Sequence, residues 1–430
     1  MTPPRVAITG IGVVSPAGCR PETFWGSLTS GISAVSGIRR FDASSYPTRI
    51  AAEVPDFRLE DHADLPRDWK DLGRIGQYAG AAASLALEDS RLLRNGWDRG
   101  RIGVLIAAGM GSYGHREVFG PCAAARSRAE DSFDWKAFAE RLASVARERS
   151  AERRTPGSIP AAMARRWDLR GPVMSVMTAC AAGTQALGDA ARWIREGLAD
   201  AVVAGGSDSE LYPMGLASFC LLGALSTRNA EASTASRPFD ASRDGFVIGE
   251  GSGVLVLEEM GHAVRRGARI YAEIAGFGSA CDSYRVTDPH PEGKGAVLAM
   301  GRALDQAGVA PSVVGYINAH GTSTVANDQI ETAAIKRLFG EGARRIPVSS
   351  TKSLIGHLTV AAGAVEAIAT ALTLFQGRIH PTINYERPDP SCDLDYVPKV
   401  SREASLEYAL SNSFAFGGQC ASLLLKTCPQ

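Results

Sequence analysis

The stretch Val173-Met-Ser-Val-Met-Thr-Ala-Cys-Ala-Ala-Gly-Thr-Gln-Ala-Leu-Gly188 decides how this chain is read. A β-branched apolar run ends in a cysteine, and small helix-forming residues follow at once. That pattern places Cys180 on a strand-to-helix turn, at the positive end of a helix. Such a position favours the thiolate, so Cys180 reads as a nucleophile that ionises easily rather than as a core thiol. Two histidines lie far downstream, each at or just after another predicted strand. They are His320 in Ile317-Asn-Ala-His-Gly-Thr-Ser-Thr324 and His357 in Val348-Ser-Ser-Thr-Lys-Ser-Leu-Ile-Gly-His357.

Outward from this stretch, strand-like and helix-like runs alternate. Val6–Val13, Ile102–Ala107, Pro172–Met177, Ala201–Ala204 and Gly253–Leu257 read as buried strands. Glu22–Thr29, Ile75–Leu87, Gly183–Glu196, Ala296–Ala307 and Asp328–Phe339 read as helices. The alternation predicts an α/β fold with buried sheets. An internal repeat adds to it: Gly245-Phe-Val-Ile-Gly-Glu-Gly-Ser-Gly-Val-Leu-Val-Leu257 matches Ser413-Phe-Ala-Phe-Gly-Gly-Gln-Cys-Ala-Ser-Leu-Leu-Leu425, 168 residues on. Adding that offset to Cys180 lands near Val348, on the strand that leads to Lys352 and His357. The chain therefore reads as two similar halves, 1–259 and 260–430, whose equivalent turns face each other. The rival explanation is chance likeness between two Gly-rich loops.

Composition narrows the function classes. The 430 residues carry 46 basic and 46 acidic side chains, so no global field draws the chain to nucleic acid or to a membrane. The N-terminus has no basic leader pattern and runs straight into a strand. The longest apolar helix, from Thr359 to Phe375, is interrupted by Glu366 and reads as a core helix. Eight scattered cysteines without a C-x-x-C pair predict neither a zinc site nor a disulfide framework, and point to a reducing cytosol. Cys19, Cys122, Cys281, His62, His262 and His380 read as ordinary core or surface residues. Arg126 to Arg154 holds 14 charged residues in 29, which predicts a surface helical insertion spanning about 123–156.

A thiolate can hold an acyl group as a thioester. Two neutral imidazoles can donate to one developing oxyanion and steady an enolate. Lys352, expected near both, needs a counter-charge if it is buried, and the acids in reach by sequence are Glu366, Asp328 and Glu331. Thr322 and Thr324 are turn formers that could also bond the amide arm of a substrate. Phe416, between Ala415 and Gly417-Gly418, reads either as core packing or as a mobile wall beside Cys180.

With these residues in view, the chain resembles the elongating β-ketoacyl-(acyl carrier protein) synthases, the type II ketosynthases of the thiolase superfamily, from Val6 to Leu425. The motifs are Thr178-Ala-Cys180, Ala204-Gly-Gly206, Ala224-Leu-Ser-Thr-Arg-Asn229, Ser236-Arg-Pro-Phe-Asp240, Arg243-Asp-Gly-Phe246, Asn318-Ala-His-Gly-Thr-Ser-Thr324, Ser350-Thr-Lys352, Gly356-His357 and Asn412-Ser-Phe414. The resemblance implies a duplicated thiolase fold of five layers, α-β-α-β-α. It implies a dimer, homodimeric or paired with a ketosynthase-like paralogue. It implies decarboxylative condensation of an acyl chain on Cys180 with malonyl-carrier, with His320, His357 and Lys352 catalytic. The backbone N–H groups of Cys180 and Phe416, beside Gly417, would form the oxyanion hole, and Thr322 and Thr324 would hold pantetheine. The partner is an acyl carrier protein, and neither a metal nor a cofactor beyond its phosphopantetheine is implied. Arg67, Lys70 and Arg74 are the expected carrier contacts, with Arg165 and Arg166 as alternates.

Two departures stand out. The turn usually written Phe-Gly-Phe-Gly-Gly-Thr-Asn is Phe414-Ala-Phe-Gly-Gly-Gln-Cys420, and Ala415 is expected to stiffen it. Tyr113, His115 and Arg116 fall where an aliphatic acyl pocket is usual, which points to a specialised polyketide or polyene pathway. Three rivals remain. A thiolase or initiating enzyme would show a Cys-x-Gly or a Cys-His-Asn set. A chain-length partner subunit would lack the nucleophile, although its catalytic mate would look like this chain. A Cys-His hydrolase would release free acid.

Overall fold

A computed structural model describes residues 3–62, 64–94, 96–109, 115–127, 132–148 and 155–428. Their centre is one ten-stranded sheet. In chain order its strands are β1 (Val6–Val14), β2 (Ile102–Ala108), β3 (Val173–Val176), β4 (Ala201–Ser209) and β5 (Glu250–Glu259), then β6 (Ala272–Cys281), β7 (Val314–Asn318), β8 (Val348–Ser349), β9 (Tyr408–Phe414) and β10 (Gln419–Lys426). Across the sheet they run β8-β7-β9-β10-β6-β1-β5-β4-β2-β3. Each strand of the first five thus answers to the strand five places later. Within each half the first two ladders are parallel (β3–β2, β2–β4; β8–β7, β7–β9) and the next two antiparallel (β4–β5, β5–β1; β9–β10, β10–β6). A short antiparallel pairing of β1 with β6, through Val6 and Ile274, joins the halves. Even the bulges repeat, between Ile8 and Gly10 in β1 and between Ile274 and Gly276 in β6.

Strands β1, β2, β4 and β9 are buried at every position, because helices cover both faces. Those helices are α1 (Gly73–Ser90), α2 (Ser158–Trp167), α3 (Ala182–Arg195), α4 (Lys294–Ala307), α5 (Val325–Phe339) and α6 (Ala362–Gln376). Helices α1 and α2 lie on the outer face of the first half-sheet. Helix α4 lies on the outer face of the second, with α5 beside it. Helices α3 and α6 fill the space between the half-sheets. The layers run α-β-α-β-α, the arrangement expected of the thiolase fold. Three apolar clusters hold them together. The largest surrounds Leu187, Ile194, Val365 and Ile368 in the middle, and two flank it under α1 and under α4. The segment Thr359–Gln376 is long and apolar enough to cross a membrane, yet 89% of it is buried in that middle layer.

The 168-residue offset is local. It relates β5 to β10, where Val256 pairs with Gly10 as Leu424 pairs with Gly276. The ladders equate Val173 with Val348, since each pairs with the strand at the centre of its parallel set. The turn carrying Cys180 therefore answers to the longer turn between Ser349 and Ala362, not to Val348 itself. The extra residues of that turn carry Lys352 and His357. The described part of the charged insertion holds a short antiparallel pairing of Arg126–Ser127 with Ser132–Phe133 and then the helix Trp135–Glu148, with Trp135 and Leu142 exposed.

The two middle helices meet at a reciprocal contact of glycines. A Cβ on Gly183 would lie 2.7 Å from the backbone nitrogen of Ala364, and a Cβ on Gly363 would lie 2.7 Å from that of Thr184. Backbone cannot yield there as a side chain can. Gly363→Ala is expected to cost about 1–3 kcal/mol through overpacking. A urea midpoint equal to the parent's, with an unchanged slope, would show that the helices separate freely.

Candidate active site

Cys180 sits where β3 turns into α3, two residues before the helix begins. Ala179 is forced into the left-handed region at φ 49°, an unfavourable conformation for a residue with a side chain, and this turns the thiol out of the strand direction. His320 follows β7, and His357 follows the short helical turn Lys352–Ile355. Cys180, His320 and His357 line one cavity of about 330 Å³, with Phe246, Thr322, Thr324, Phe414, Phe416 and Cys420 in the same wall.

The two imidazoles stand edge to face, with centroids 5.3 Å apart and planes at 86°. Each also packs on a phenylalanine. Phe246 lies 5.2 Å from His357 and Phe414 lies 5.9 Å from His320, and these are the two phenylalanines of the sequence repeat. Lys352 Nζ donates to His320 Nδ1 at 3.2 Å and is paired with Glu366 at 2.5 Å. Lysine has no acceptor, so His320 Nδ1 must accept and its proton sits on Nε2. His357 Nδ1 likewise accepts the backbone N–H of Thr359 at 3.3 Å. Both rings are thus Nε2–H donors. Burial holds both pKa values well below the usual imidazole range, and the charge of Lys352 pushes the same way.

The three acids divide their work. Burial pushes Glu366 up to about 7 against the pull of Lys352. Its Oε2 has no hydrogen-bond partner among the described residues. Glu331 accepts the backbone N–H groups of His320 at 2.9 Å and Gly321 at 2.8 Å, and burial pushes it up to about 7. Asp328 does not reach Lys352. It accepts the Phe239 N–H at 2.7 Å and faces Arg243 at 3.6 Å, because the guanidinium stem is long enough to bring a cation to it first. Asp208 was not singled out from the sequence. It accepts from Val360 N at 3.1 Å and from the Thr359 hydroxyl, and so anchors the turn beyond His357. The available signal was a carboxylate at the buried end of the Ala204-Gly-Gly206 strand.

The expected ease of ionisation at Cys180 is opposed by its surroundings, although the residue keeps part of its surface exposed. Burial pushes the thiol up to about 12, with Lys352 pulling the other way and losing. Thr322 and Thr324 share a hydroxyl hydrogen bond of 2.9 Å on the cavity wall, and Thr324 also caps α5. Gly417 donates its backbone N–H to the Val286 carbonyl oxygen at 2.6 Å. Arg67, Lys70 and Arg74 lie away from the cavity. Lys70 is tied to Glu60 at 2.6 Å and Arg74 to the Tyr78 hydroxyl at 2.9 Å. Arg165 and Arg166 share with Pro66, Asp68 and Trp69 a separate surface groove of about 790 Å³. Tyr113 lies outside the described residues, as do the side chains of His115 and Arg116.

Two family models cover the chain: beta-ketoacyl synthase, N-terminal domain, over residues 4–263, and beta-ketoacyl synthase, C-terminal domain, over residues 271–386. The chain belongs to the beta-ketoacyl synthases. It is 44% identical, over 98% of both chains, to the 3-oxoacyl-[acyl-carrier-protein] synthase 2 of Coxiella burnetii. Among solved structures it matches a type II polyketide-synthase ketosynthase in complex with its acyl-carrier protein (AntDE:AntF) at TM-score 0.87 and 34% identity, covering all of both chains. It matches the ishigamide ketosynthase/chain length factor at TM-score 0.87 and 35% identity, again covering all of both chains. This ketosynthase is therefore an acyltransferase of the elongating type that makes 3-oxoacyl-carrier products.

Only the thiolate is alkylated by iodoacetamide. With the thiol held near 12, its ionised fraction climbs about tenfold per pH unit below that value. Peptide-resolved mass spectrometry should show Cys180 alkylation rising about tenfold from pH 7 to 8 and again from pH 8 to 9. A plateau within that window would mean that the helix N-terminus outweighs burial.

Proposed function

We propose that Cys180 carries the growing acyl chain while His320 and His357 hold the enolate oxygen formed from malonyl-carrier. The observation behind this is the pair of neutral Nε2–H donors facing one cavity with the thiol. In the first half-reaction the Cys180 sulfur attacks the acyl-pantetheine thioester. The carbon–sulfur bond to the carrier breaks, and the thiol proton leaves on the departing pantetheine sulfur. In the second, the bond between the malonyl carboxylate and its α-carbon breaks. Carbon dioxide departs and the electron pair stays as an enolate, whose oxygen takes both imidazole hydrogen bonds. The enolate carbon then attacks the acyl thioester on Cys180. The acyl carbon–sulfur bond breaks, the Cys180 thiolate takes a proton from water to restore the thiol, and a 3-oxoacyl chain two carbons longer remains on the carrier. In this reading Thr322 and Thr324 bond the pantetheine amides, and the N–H groups of Cys180 and Phe416 receive the tetrahedral oxyanion. Carbon dioxide loss supplies the driving force, and the substrate brings its own phosphopantetheine.

The higher identity to the 3-oxoacyl-[acyl-carrier-protein] synthase 2 favours acyl-chain elongation of the fatty-acid kind over the specialised polyketide reading, whose sequence basis was Tyr113, His115 and Arg116. An acidic carrier would dock at Arg67, Lys70 and Arg74 or, alternatively, at the groove that holds Arg165 and Arg166, working in the cytosol. Among the described residues edge strand β3 pairs on one side only; it exposes Val173 and Met174, and Met177 is exposed just beyond it. A second ketosynthase-like subunit would cover that edge, since an open apolar strand pairs readily.

Intact-protein mass spectrometry and carbon dioxide release test the roles together. Cys180→Ala is expected to take no acyl group and to keep decarboxylating malonyl-carrier. His357→Ala is expected to load normally and to lose about 10²-fold in decarboxylation, the usual cost of one oxyanion donor. Unaltered decarboxylation in His357→Ala, with the parent's circular dichroism, would remove the imidazole pair from the mechanism.

A further inference from the structure

One buried imidazole takes no part in the reaction as drawn. His380 is fully buried behind the strand ends that carry His320 and Lys352. Its partners form a directional chain. The Asn318 amide Nδ2 donates to Thr351 Oγ1 at 3.0 Å. That hydroxyl has one hydrogen to give. His380 Nε2 lies 3.0 Å away, against 3.4 Å back to Asn318 Oδ1. His380 Nδ1 lies 3.2 Å from the carbonyl oxygen of Pro381, so Nδ1 carries the proton and Nε2 is free to accept. The Tyr316 hydroxyl lies 3.4 Å from the same Nε2 and the Ser349 hydroxyl 3.4 Å from Nδ1 and 3.5 Å from Nε2; these two bond each other at 2.7 Å, which leaves the Thr351 hydroxyl at 3.0 Å as the nearest donor to Nε2.

Both ends of this chain adjoin the catalytic pair. Asn318 is two residues before His320, and Thr351 immediately precedes Lys352, which opens its helical turn. We propose that His380 is a positioning residue: by taking the Thr351 hydroxyl hydrogen it locks the turn that aims Lys352 Nζ at His320 Nδ1. This rests on the reading that His320 in its Nε2–H form stabilises the enolate. Without the acceptor, the Thr351 hydroxyl rotates toward Asn318 Oδ1 and competes with the amide bond it now receives. The turn then loses its fixed rotamer, and the lysine its aim.

The test is a double-mutant cycle on the full enzyme, read as malonyl-carrier decarboxylation against Cys180 loading. His380→Leu fills the volume without an acceptor. Thr351→Val removes the hydroxyl and keeps the shape. Each is expected to slow decarboxylation about tenfold and leave loading within about twofold, as outer-shell losses do. The double variant should be no slower than the worse single, because both break one link. His380→Gln, which keeps an acceptor near the Nε2 position, should recover most of the rate. Multiplying defects in the double variant, or a Gln variant as slow as Leu, would overturn the proposal, as would unchanged decarboxylation in Thr351→Val, the variant least able to disturb folding. A parent enzyme that loads Cys180 but never releases carbon dioxide would instead overturn the reading beneath it.

Discussion

The site depends on one buried cation. Lys352 Nζ sits between Glu366 and His320, with its side chain almost wholly removed from solvent. Removing one partner of such a buried pair typically costs about 3–5 kcal/mol, because the other charge is left uncompensated. What this arrangement secures is a proton position. A donor fixed on His320 Nδ1 forces the ring proton to Nε2, and the Thr359 N–H does the same for His357. The imidazoles stay neutral because burial and Lys352 both oppose their protonation. Neutral donors suit this chemistry. Decarboxylation removes charge from the carboxylate and places it on the enolate oxygen, so a cavity that held the carboxylate tightly would stabilise the ground state. The described lining has Phe219, Phe246, Phe414 and Phe416, with Asp244, Asp282 and Asp288, and neither lysine nor arginine.

Duplication explains why these groups meet at all. The turn after β3 and the turn after β8 are equivalents, brought face to face by the crossing of α3 and α6 at Gly183 and Gly363. One turn is short and holds Cys180. The other is longer and carries Lys352 and His357. The repeated phenylalanines kept their shared position, and each now backs one imidazole. A symmetric scaffold thus supplies an asymmetric site, with the sulfur from one half and all three nitrogen groups from the other.

Much of this was legible before any coordinates, for identifiable reasons. Apolar runs buried on both faces announce themselves as continuous Val, Ile and Ala, so β1 and β2 were readable with near-correct ends, whereas β4 was read only to Ala204 because its second half, Gly205 to Ser209, has no apolar side chain. The Cys180 turn was readable because a strand run and a helix run abut there. Three matters were hidden. The offset of 168 describes one strand pair, since insertions accumulate in turns and not in ladders. The partner of Asp328 depends on the reach of Arg243, a contact 85 residues apart in sequence that no local pattern records. The ionisation of Cys180 depends on how much water the fold excludes, and residue spacing says nothing of that.

Ala415 shows how a departure from the usual motif can be absorbed. It lies in extended backbone at φ −128° and ψ 156°, where a Cβ costs nothing. The left-handed positions of the turn, Gly417 at φ 80° and Gly418 at φ 76°, remain glycine. The closed turn is therefore unstrained, held by Gly417 N–H to Val286 O and by Asp282 N–H to Gly418 O at 2.9 Å. An alanine in place of glycine acts instead on whatever opened ensemble the turn visits. It has fewer conformations there, which weights the closed form by about 0.4–1 kcal/mol. The expected stiffening is thus a narrowing of the open state rather than a strain in the closed one, and it leaves the wall beside Cys180 in place between substrates.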